Sequence, residues 1–170
     1  MVKARAFKTG ALPSGMSSVF AGKTLALGSG MGLKATYFNK PDFTGQSFTR
    51  IDPLIDFGWP NNSPGQGFGP EYWSARWEGS IEIPLSATYT FSTITDDGIR
   101  LWIDGKTVID HWDPHGPTVD HGSIALEGGK KHDIKIDFYQ NGGGSDMHLL
   151  WSTPCLQSGV VPTSQLYPAP

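Results

Sequence analysis

Apolar and polar residues alternate along most of the chain after residue 32, which is the pattern of half-buried β-strands. No apolar stripe with the i, i+3, i+4, i+7 spacing of an amphipathic helix persists for long. Glycine and proline separate the alternating segments, and about ten short strands divided in this way indicate an all-β fold, an antiparallel β-sandwich. The predicted strands are 33–38, 47–51, 72–78, 80–83, 88–94, 99–103, 106–109, 122–126, 133–139 and 148–152.

One tight turn is also predicted. Asp104-Gly105 lies between the alternating segments 99–103 and 106–109. Asp-Gly is typical of a type I′ turn, in which both central residues have a positive φ. These two segments are therefore expected to pair as a hairpin.

Three segments differ from the strands. Residues 1–31 are rich in Gly, Ser, Ala and Lys, so we expect an N-terminal linker or an edge extension of the domain. Residues 58–70 (GWPNNSPGQGFGP) are predicted to form a long loop, and such loops are usually functional or anchored. Residues 160–170 are predicted to be a final strand segment followed by a linker.

Composition and charge exclude several classes of protein. The 170 residues fit one domain, and the formal net charge of -3 comes without the basic patch that nucleic acid needs. No run of about 18 apolar residues is present, so no membrane insertion is expected. The one cysteine, Cys155, cannot form an internal disulfide or a cysteine-based zinc site, and it does not decide the compartment. The first residues contain no secretory signal pattern.

Two adjacent acids, Asp96 and Asp97, lie where one predicted strand ends and the next begins. Their charges repel each other unless a cation or hydrogen-bond donors compensate. Neighbouring side chains of a strand point to opposite faces, so the backbone must bend sharply to bring both carboxylates onto one ion. A cis peptide bond would produce that bend, and a hard divalent cation would compensate for its cost.

A glycine-rich segment, 140–146 (QNGGGSD), follows the predicted strand 133–139. Its glycines allow backbone carbonyls to turn inward, Asn141 offers an amide oxygen, and Asp146 offers a further carboxylate. These are the oxygen ligands that Ca²⁺ takes, and a set without thiolate or imidazole argues against zinc or copper. From the residues alone, two ordinary hairpin turns remain the alternative to a calcium site.

Residues 32–168 resemble the PA14 domain family through GLKATYFNKPDFTG, YWSARWEGSIEIPLSATYTF, TYTFSTITDDGIRLWIDGKTVIDHW and HDIKIDFYQNGGGSDMHLLW. The resemblance implies a β-sandwich module of glycosidases, adhesins, toxins and cell-surface proteins. In the sugar-binding members, two neighbouring aspartates joined by a cis peptide and a second loop hold a calcium ion, to which vicinal sugar hydroxyls bind. Other members are spacers or structural pieces.

The resemblance also implies site residues. Asp96, Asp97 and Asn141 match the family's calcium ligands, and backbone carbonyls from Gly143 to Asp146 complete the set. We add the Asp146 side chain as a metal ligand. The candidates for contact with a sugar are Asp96, Asp97, Asn141, Gln140, Gly142 and Trp59.

Among the aromatic residues, Trp59 is the best candidate for an exposed platform that stacks on a sugar ring, because it lies beside Pro60 in the long loop. Trp77, Trp102 and Trp151 lie in alternating strands and are expected to pack in the core or on a sheet.

Histidines and acids also cluster between residues 110 and 121 (DHWDPHGPTVDH). Pro114 and Gly116 break any helical i, i+4 arrangement of metal ligands, so we expect solvent-exposed loop histidines here.

No catalytic motif is evident. Asp96 and Asp97, committed to one ion, cannot flank a glycosidic bond, and no nucleophile elbow or phosphate loop is present. We therefore expect a non-catalytic, Ca²⁺-dependent carbohydrate-binding module, a lectin domain of a larger multidomain protein, at the cell surface or extracellular. Its partner would be a polysaccharide or glycan. The alternatives are a structural or spacer module, and a domain that shapes the pocket of a glycosidase.

Overall fold

The computed structural model describes residues 28–59, 63–65 and 67–170. A 3-10 helix, Thr163–Gln165, precedes the last strand. No helix in these ranges is long and apolar enough to cross a membrane. The strands are β1 (Leu33–Phe38), β2 (Ser47–Asp52), β3 (Asp56–Gly58), β4 (Trp73–Ile83), β5 (Ala87–Asp96), β6 (Ile99–Ile103), β7 (Lys106–His111), β8 (Thr118–Leu126), β9 (Lys130–Gln140), β10 (Asp146–Thr153), β11 (Leu156–Val160) and β12 (Leu166–Pro168).

These strands form two antiparallel sheets. The larger sheet has the order β2-β1-β4-β9-β6-β7, and β12 pairs with β4 beyond the end of β1. The smaller sheet has the order β11-β10-β5-β8, and β3 pairs with the start of β10 on the same edge that β11 occupies further along. The predicted all-β antiparallel sandwich is thus confirmed.

The core lies between the two sheets and follows from the alternation in each strand. In β1, Leu33, Ala35 and Tyr37 are buried, whereas the residues between them are partly exposed. Full burial of a large apolar side chain stabilises a fold by roughly 1.5–3 kcal/mol. Side chains from both sheets meet in this way, among them Trp77, Leu101, Ile136, Phe91 and Leu149.

The predicted hairpin is present. β6 and β7 pair as antiparallel neighbours around Asp104 and Gly105, whose φ angles are 48° and 72°. Both angles are positive, as a type I′ turn requires.

The strand prediction is wrong at one glycine. The predicted strands 72–78 and 80–83 are one strand, β4, which runs through Gly79 without a break. A Cβ at Gly79 would collide with the Tyr167 carbonyl oxygen, so glycine allows β12 to approach rather than ending the strand.

The two ends of the described chain pack against each other. The predicted linker after the last strand is wrong, because residues 163–168 form the 3-10 helix and β12. Most of the predicted N-terminal segment, residues 1–27, lies outside the described residues, but Gly30 donates a backbone hydrogen bond to Ser164 at 2.9 Å.

Candidate functional site

Three chain segments converge at one end of the sandwich. Asp96 ends β5 and lies opposite Asp146, the first residue of β10, in the antiparallel register. The peptide bond between Asp96 and Asp97 is cis, as the resemblance implied. Residues 141–145 of the glycine-rich segment connect β9 to β10 and therefore cross the same end of the sandwich.

Backbone N–H groups hold the Asp97 carboxylate, which is only 3% exposed. Its Oδ2 accepts hydrogen bonds from the N–H groups of Asn141 at 2.7 Å and Gly142 at 3.3 Å. Its Oδ1 accepts one from the His115 N–H at 3.0 Å. Hydrogen bonds to an ionised acceptor are the stronger kind, so Asp97 fixes both the glycine-rich segment and the loop that carries His115.

Asp96 is equally buried, at 6% exposure, but its charge is not compensated in this way. Within the described ranges, no hydrogen-bond donor reaches its carboxylate. Burial, followed by the charges of Asp97 and Asp146, raises the pKa of Asp96, whereas His115 acts in the opposite direction. Gly144 lies directly against this carboxylate, since a Cβ there would be 2.7 Å from its Oδ2.

The donor set suits a hard cation. The carboxylates of Asp96 and Asp97 lie at the same end of the sandwich as Asp146, the exposed Asn141 and the backbone of Gly143, but the three carboxylates do not all come within 4.8 Å of one another. All of these supply oxygen, and Ca²⁺ takes six to eight oxygen ligands, about 2.3–2.6 Å away. A cation there would neutralise the crowded negative charge that the protein leaves uncompensated at Asp96.

Trp59 is not an exposed platform, so that prediction is wrong. The side chain is 8% exposed, stacks on Phe57 with ring centroids 4.5 Å apart, and meets Trp73 edge to face at 5.1 Å. β3 pairs with β10 and carries Trp59 into the core. Its backbone N–H donates to the Ser145 carbonyl at 2.7 Å, so Trp59 anchors the glycine-rich segment instead.

Gln140 is fully buried and cannot contact a sugar directly, so the prediction that it contacts a sugar is wrong. Its Nε2 donates to the Gly144 carbonyl at 2.7 Å and braces the glycine-rich segment from inside. Among the described residues, the Gln140 Oε1 finds no hydrogen-bond partner. The backbone N–H of Gly142 points to Asp97, which leaves its carbonyl as the group available to a ligand.

The sequence did not single out Tyr72, one of several aromatic residues able to stack on a sugar, or Glu71 before it. Trp73 pairs with Gln140, so Tyr72 lies beside the start of the glycine-rich segment. Tyr72 is 57% exposed and has a φ of 59°, which is uncommon for a residue with a bulky side chain. The neighbouring Glu71 accepts a long hydrogen bond from the Gly143 N–H at 3.5 Å. The alternation assigned Tyr72 to a strand and gave no sign of this position.

Comparison with known proteins agrees with this architecture. The model of the PA14 domain family matches residues 29–160. The chain is 43% identical over 162 residues to Anti-sigma-I factor RsgI3 of Acetivibrio thermocellus, a match that covers 95% of this chain and 25% of that protein.

Solved structures are also similar to the domain. An anti-sigma factor domain-containing protein superposes with a TM-score of 0.80 at 46% identity, covering 82% of this chain and 49% of the other. A PA14 sugar-binding domain from an RTX adhesin superposes with a TM-score of 0.67 at 16% identity, covering 82% and 99%, and shares the fold. Because the family model spans most of the sequence, this chain belongs to the PA14 domain family.

Proposed function

We propose that the domain is a non-catalytic, calcium-dependent glycan-binding module. The observation that carries the proposal is the pair of nearly buried carboxylates, Asp96 and Asp97, next to Asp146 and an open glycine-rich segment, with no donor compensating Asp96 in the described part of the chain. The similar fold of a domain described as sugar-binding supports it.

Each group at this end of the sandwich has a role in the proposal. Asp96, Asp97 and Asp146 would hold the ion through carboxylate oxygens, and Asn141 and Gly143 through an amide and a carbonyl oxygen. Bound Ca²⁺ supplies open coordination positions that two vicinal hydroxyls of a sugar can fill. Asp96 and Asp97 would accept hydrogen bonds from the same hydroxyls, and charged acceptors make the stronger bonds. The missing side chains of Gly142 and Gly143 leave the approach open.

Tyr72 takes the role that Trp59 cannot fill. It is the exposed aromatic residue beside the glycine-rich segment, and a tyrosine ring offers an apolar face for a sugar ring together with a polar end. Its backbone has a left-handed conformation, and such conformations in bulky residues are concentrated at functional sites, where the surrounding structure enforces them. Tyr72→Ala should weaken glycan binding without changing calcium binding.

The parent protein is proposed to be larger and to present this domain outside the cytoplasm. The chain spans a quarter of the length of Anti-sigma-I factor RsgI3. That likeness favours a regulatory parent, in which glycan binding outside the cell provides the signal, over a glycosidase whose pocket the domain shapes. A single sugar contact is expected to be weak, so the parent would gain strength from repeated contacts along a polymer.

The test is a titration against a panel of polysaccharides, in calcium and again in excess chelator. The proposal expects binding that requires calcium and that Asp97→Asn abolishes while the fold is retained. Asp110→Asn, which alters an exposed acid paired with Arg100, is the matched control and should bind as the unmodified domain does. Calcium binding without binding to any glycan would instead identify a structural or spacer module. Glycan binding that persists in chelator would overturn the role of the ion.

A further inference from the structure

We propose that His111, His115 and Asp120 form a second metal site, for a transition-metal cation of the zinc class. The residues come from the end of β7, the loop after it, and β8. One candidate ligand atom from each lies within 4.8 Å of those of the other two. All three residues are partly exposed.

The hydrogen bonding of His115 prepares one ring nitrogen for a metal. Its Nδ1 lies 2.8 Å from the Gly116 carbonyl, which can only accept, so Nδ1 carries the proton. The lone pair is therefore on Nε2, which is buried and has no hydrogen-bond partner in the described ranges. A histidine that donates one N–H to a carbonyl while its other nitrogen stays free has the arrangement of a metal ligand.

His111 shows the same arrangement. Its Nε2 can donate to Asp113 Oδ1 at 3.5 Å, which leaves the Nδ1 lone pair 2.9 Å from Asp120 Oδ2. Two acceptors that face each other at this distance repel unless a proton or a cation lies between them. The His111 and His115 rings stack with centroids 4.1 Å apart, so the two imidazoles are close neighbours. Asp113 lies beside the other ring nitrogen of His111, where it would hold the orientation of the ring rather than bind the ion.

The ligand chemistry selects the kind of cation. Imidazole and carboxylate together suit zinc, nickel and copper, whereas the oxygen-only set around Asp96 suits calcium. The expectation of solvent-exposed loop histidines is wrong for His111, whose side chain is 29% exposed and ends a strand. The spacing of these residues gave no signal, because β8 supplies Asp120 from across the loop.

One hydrogen bond connects the second site to the candidate calcium site. The His115 backbone N–H donates to Asp97 Oδ1 at 3.0 Å. A cation on the His115 ring would therefore fix the loop that supplies this donor. The two sites use different side chains, so each can be tested while the other is occupied or removed.

The test is calorimetric titration of the chain with ZnCl₂ in excess calcium, so that the oxygen-rich site is already filled. The proposal expects one zinc ion per chain, with affinity reduced by about 100-fold or more in His111→Ala and in His115→Ala, since each removes a direct ligand. His121→Ala is the matched control, because this nearby histidine bonds Ser92 rather than the cluster, and it should bind zinc normally. Gly144→Ala, whose methyl group would crowd the Asp96 carboxylate, should also retain zinc, which separates this inference from the calcium proposal.

A second measurement needs no variant. Co²⁺ added to the unmodified chain should give the intense visible absorption of a four-coordinate site, and ZnCl₂ should remove it. Far-UV circular dichroism checks that each variant is folded. Absence of zinc uptake by the unmodified chain, or uptake by the His111→Ala and His115→Ala variants equal to that of the unmodified chain, would overturn the proposal and leave His111 as a polar link between Asp113 and Asp120.

Discussion

At the scale of single residues, the missing side chain of Gly144 sets the position of the Asp96 carboxylate. A Cβ at Gly144 would lie 2.7 Å from Asp96 Oδ2, closer than such atoms approach in proteins, whereas a Cβ at Gly142 would make ordinary 3.7 Å contacts with Glu71. The two glycines are neighbours in the same segment but differ in what they touch. Alanine at Gly144 would therefore take space that Asp96 needs, whereas alanine at Gly142 would change only the backbone flexibility that glycine gives to any loop.

We expect Gly144→Ala to weaken calcium binding by about tenfold or more, which corresponds to about 1.4 kcal/mol, because the methyl group displaces Asp96. Gly142→Ala keeps the N–H that Asp97 accepts and should change the affinity by much less. Calcium titration of both variants by calorimetry measures the difference. Equal affinities would show that the Asp96 carboxylate does not bind the ion.

At the scale of elements, Asp52 joins three strands of the larger sheet. It ends β2, and its Oδ2 accepts hydrogen bonds from the Tyr37 hydroxyl of β1 at 2.6 Å and from the Trp77 indole of β4 at 2.8 Å. Its Oδ1 accepts one from Arg50 at 2.6 Å. Burial, together with the neighbouring Asp52 charge, raises the pKa of Tyr37, so this hydroxyl stays protonated and continues to donate.

Asp52→Ala should therefore lower the free energy of unfolding by about 3–5 kcal/mol, because it leaves two buried donors without an acceptor. The matched control is Asp110→Ala, which breaks the pair with Arg100, whose two side chains are 36% and 51% exposed. Such an exposed pair contributes at most about 1 kcal/mol. Urea denaturation of both variants measures the two costs, and similar costs would contradict the structural role of Asp52.

The β6–β7 turn also carries a pH-dependent contact with β9. His132 Nδ1 lies 2.6 Å from Asp104 Oδ2, and its Nε2 lies 3.0 Å from the Glu127 carbonyl. Burial alone would lower the pKa of His132, but the hydrogen bonds to Asp104 and Glu127 outweigh it and raise the pKa above 6.5. Burial would likewise raise the pKa of Asp104, but its hydrogen bonds from His132 and the Asp133 N–H lower it.

The sign of the pH effect follows from these directions. A raised folded-state pKa means that the His132 contribution is fully present below its unfolded value, about 6.5, and is lost as the pH rises through the folded value. Asp104 stays ionised throughout this window. The urea midpoint of the unmodified domain should therefore fall more between pH 6 and pH 8.5 than that of His132→Gln. Parallel profiles for the two proteins would rule out this contribution, since the other histidines are common to both.

Local patterns predicted most of these elements, and long-range packing accounts for what they missed. Alternation located β1 and β6 to the residue, and Asp104-Gly105 fixed the turn, because these features depend on neighbours in the sequence. The strand was wrongly ended at Gly79, because the sequence around a glycine is the same whether it ends a strand or leaves room for a neighbouring strand to pack closely. Likewise, the adjacent Asp96 and Asp97 pointed to a site, but only the pairing of β3 with β10 decides that Trp59 is buried.

At the scale of the whole molecule, the two sheets place several acids at one end of the sandwich. β5 and β10 are hydrogen-bonded neighbours, so Asp96 and Asp146 lie side by side, and the turn to β6 adds Asp97. The fold therefore brings the Asp146 charge to the adjacent Asp96 and Asp97 whenever no cation is present, and the unfolded chain separates Asp146 from them. A cation that binds only the folded form must then stabilise the domain by mass action.

Calcium should accordingly raise the melting temperature of the whole domain in a concentration-dependent manner. At 100 times the dissociation constant the gain is about 2.7 kcal/mol, which corresponds to roughly 5–11 °C for a domain of this size at about 2–4 °C per kcal/mol. Asp96→Asn should remove the dependence on calcium. In chelator the same variant should melt above the unmodified domain, because one of the crowded charges is gone. Asp133→Asn, a change at an exposed acid on β9, should keep the full calcium shift. If the melting temperature of the unmodified domain is the same in calcium and in chelator, the acids are not a cation site, and their proximity must be compensated in another way.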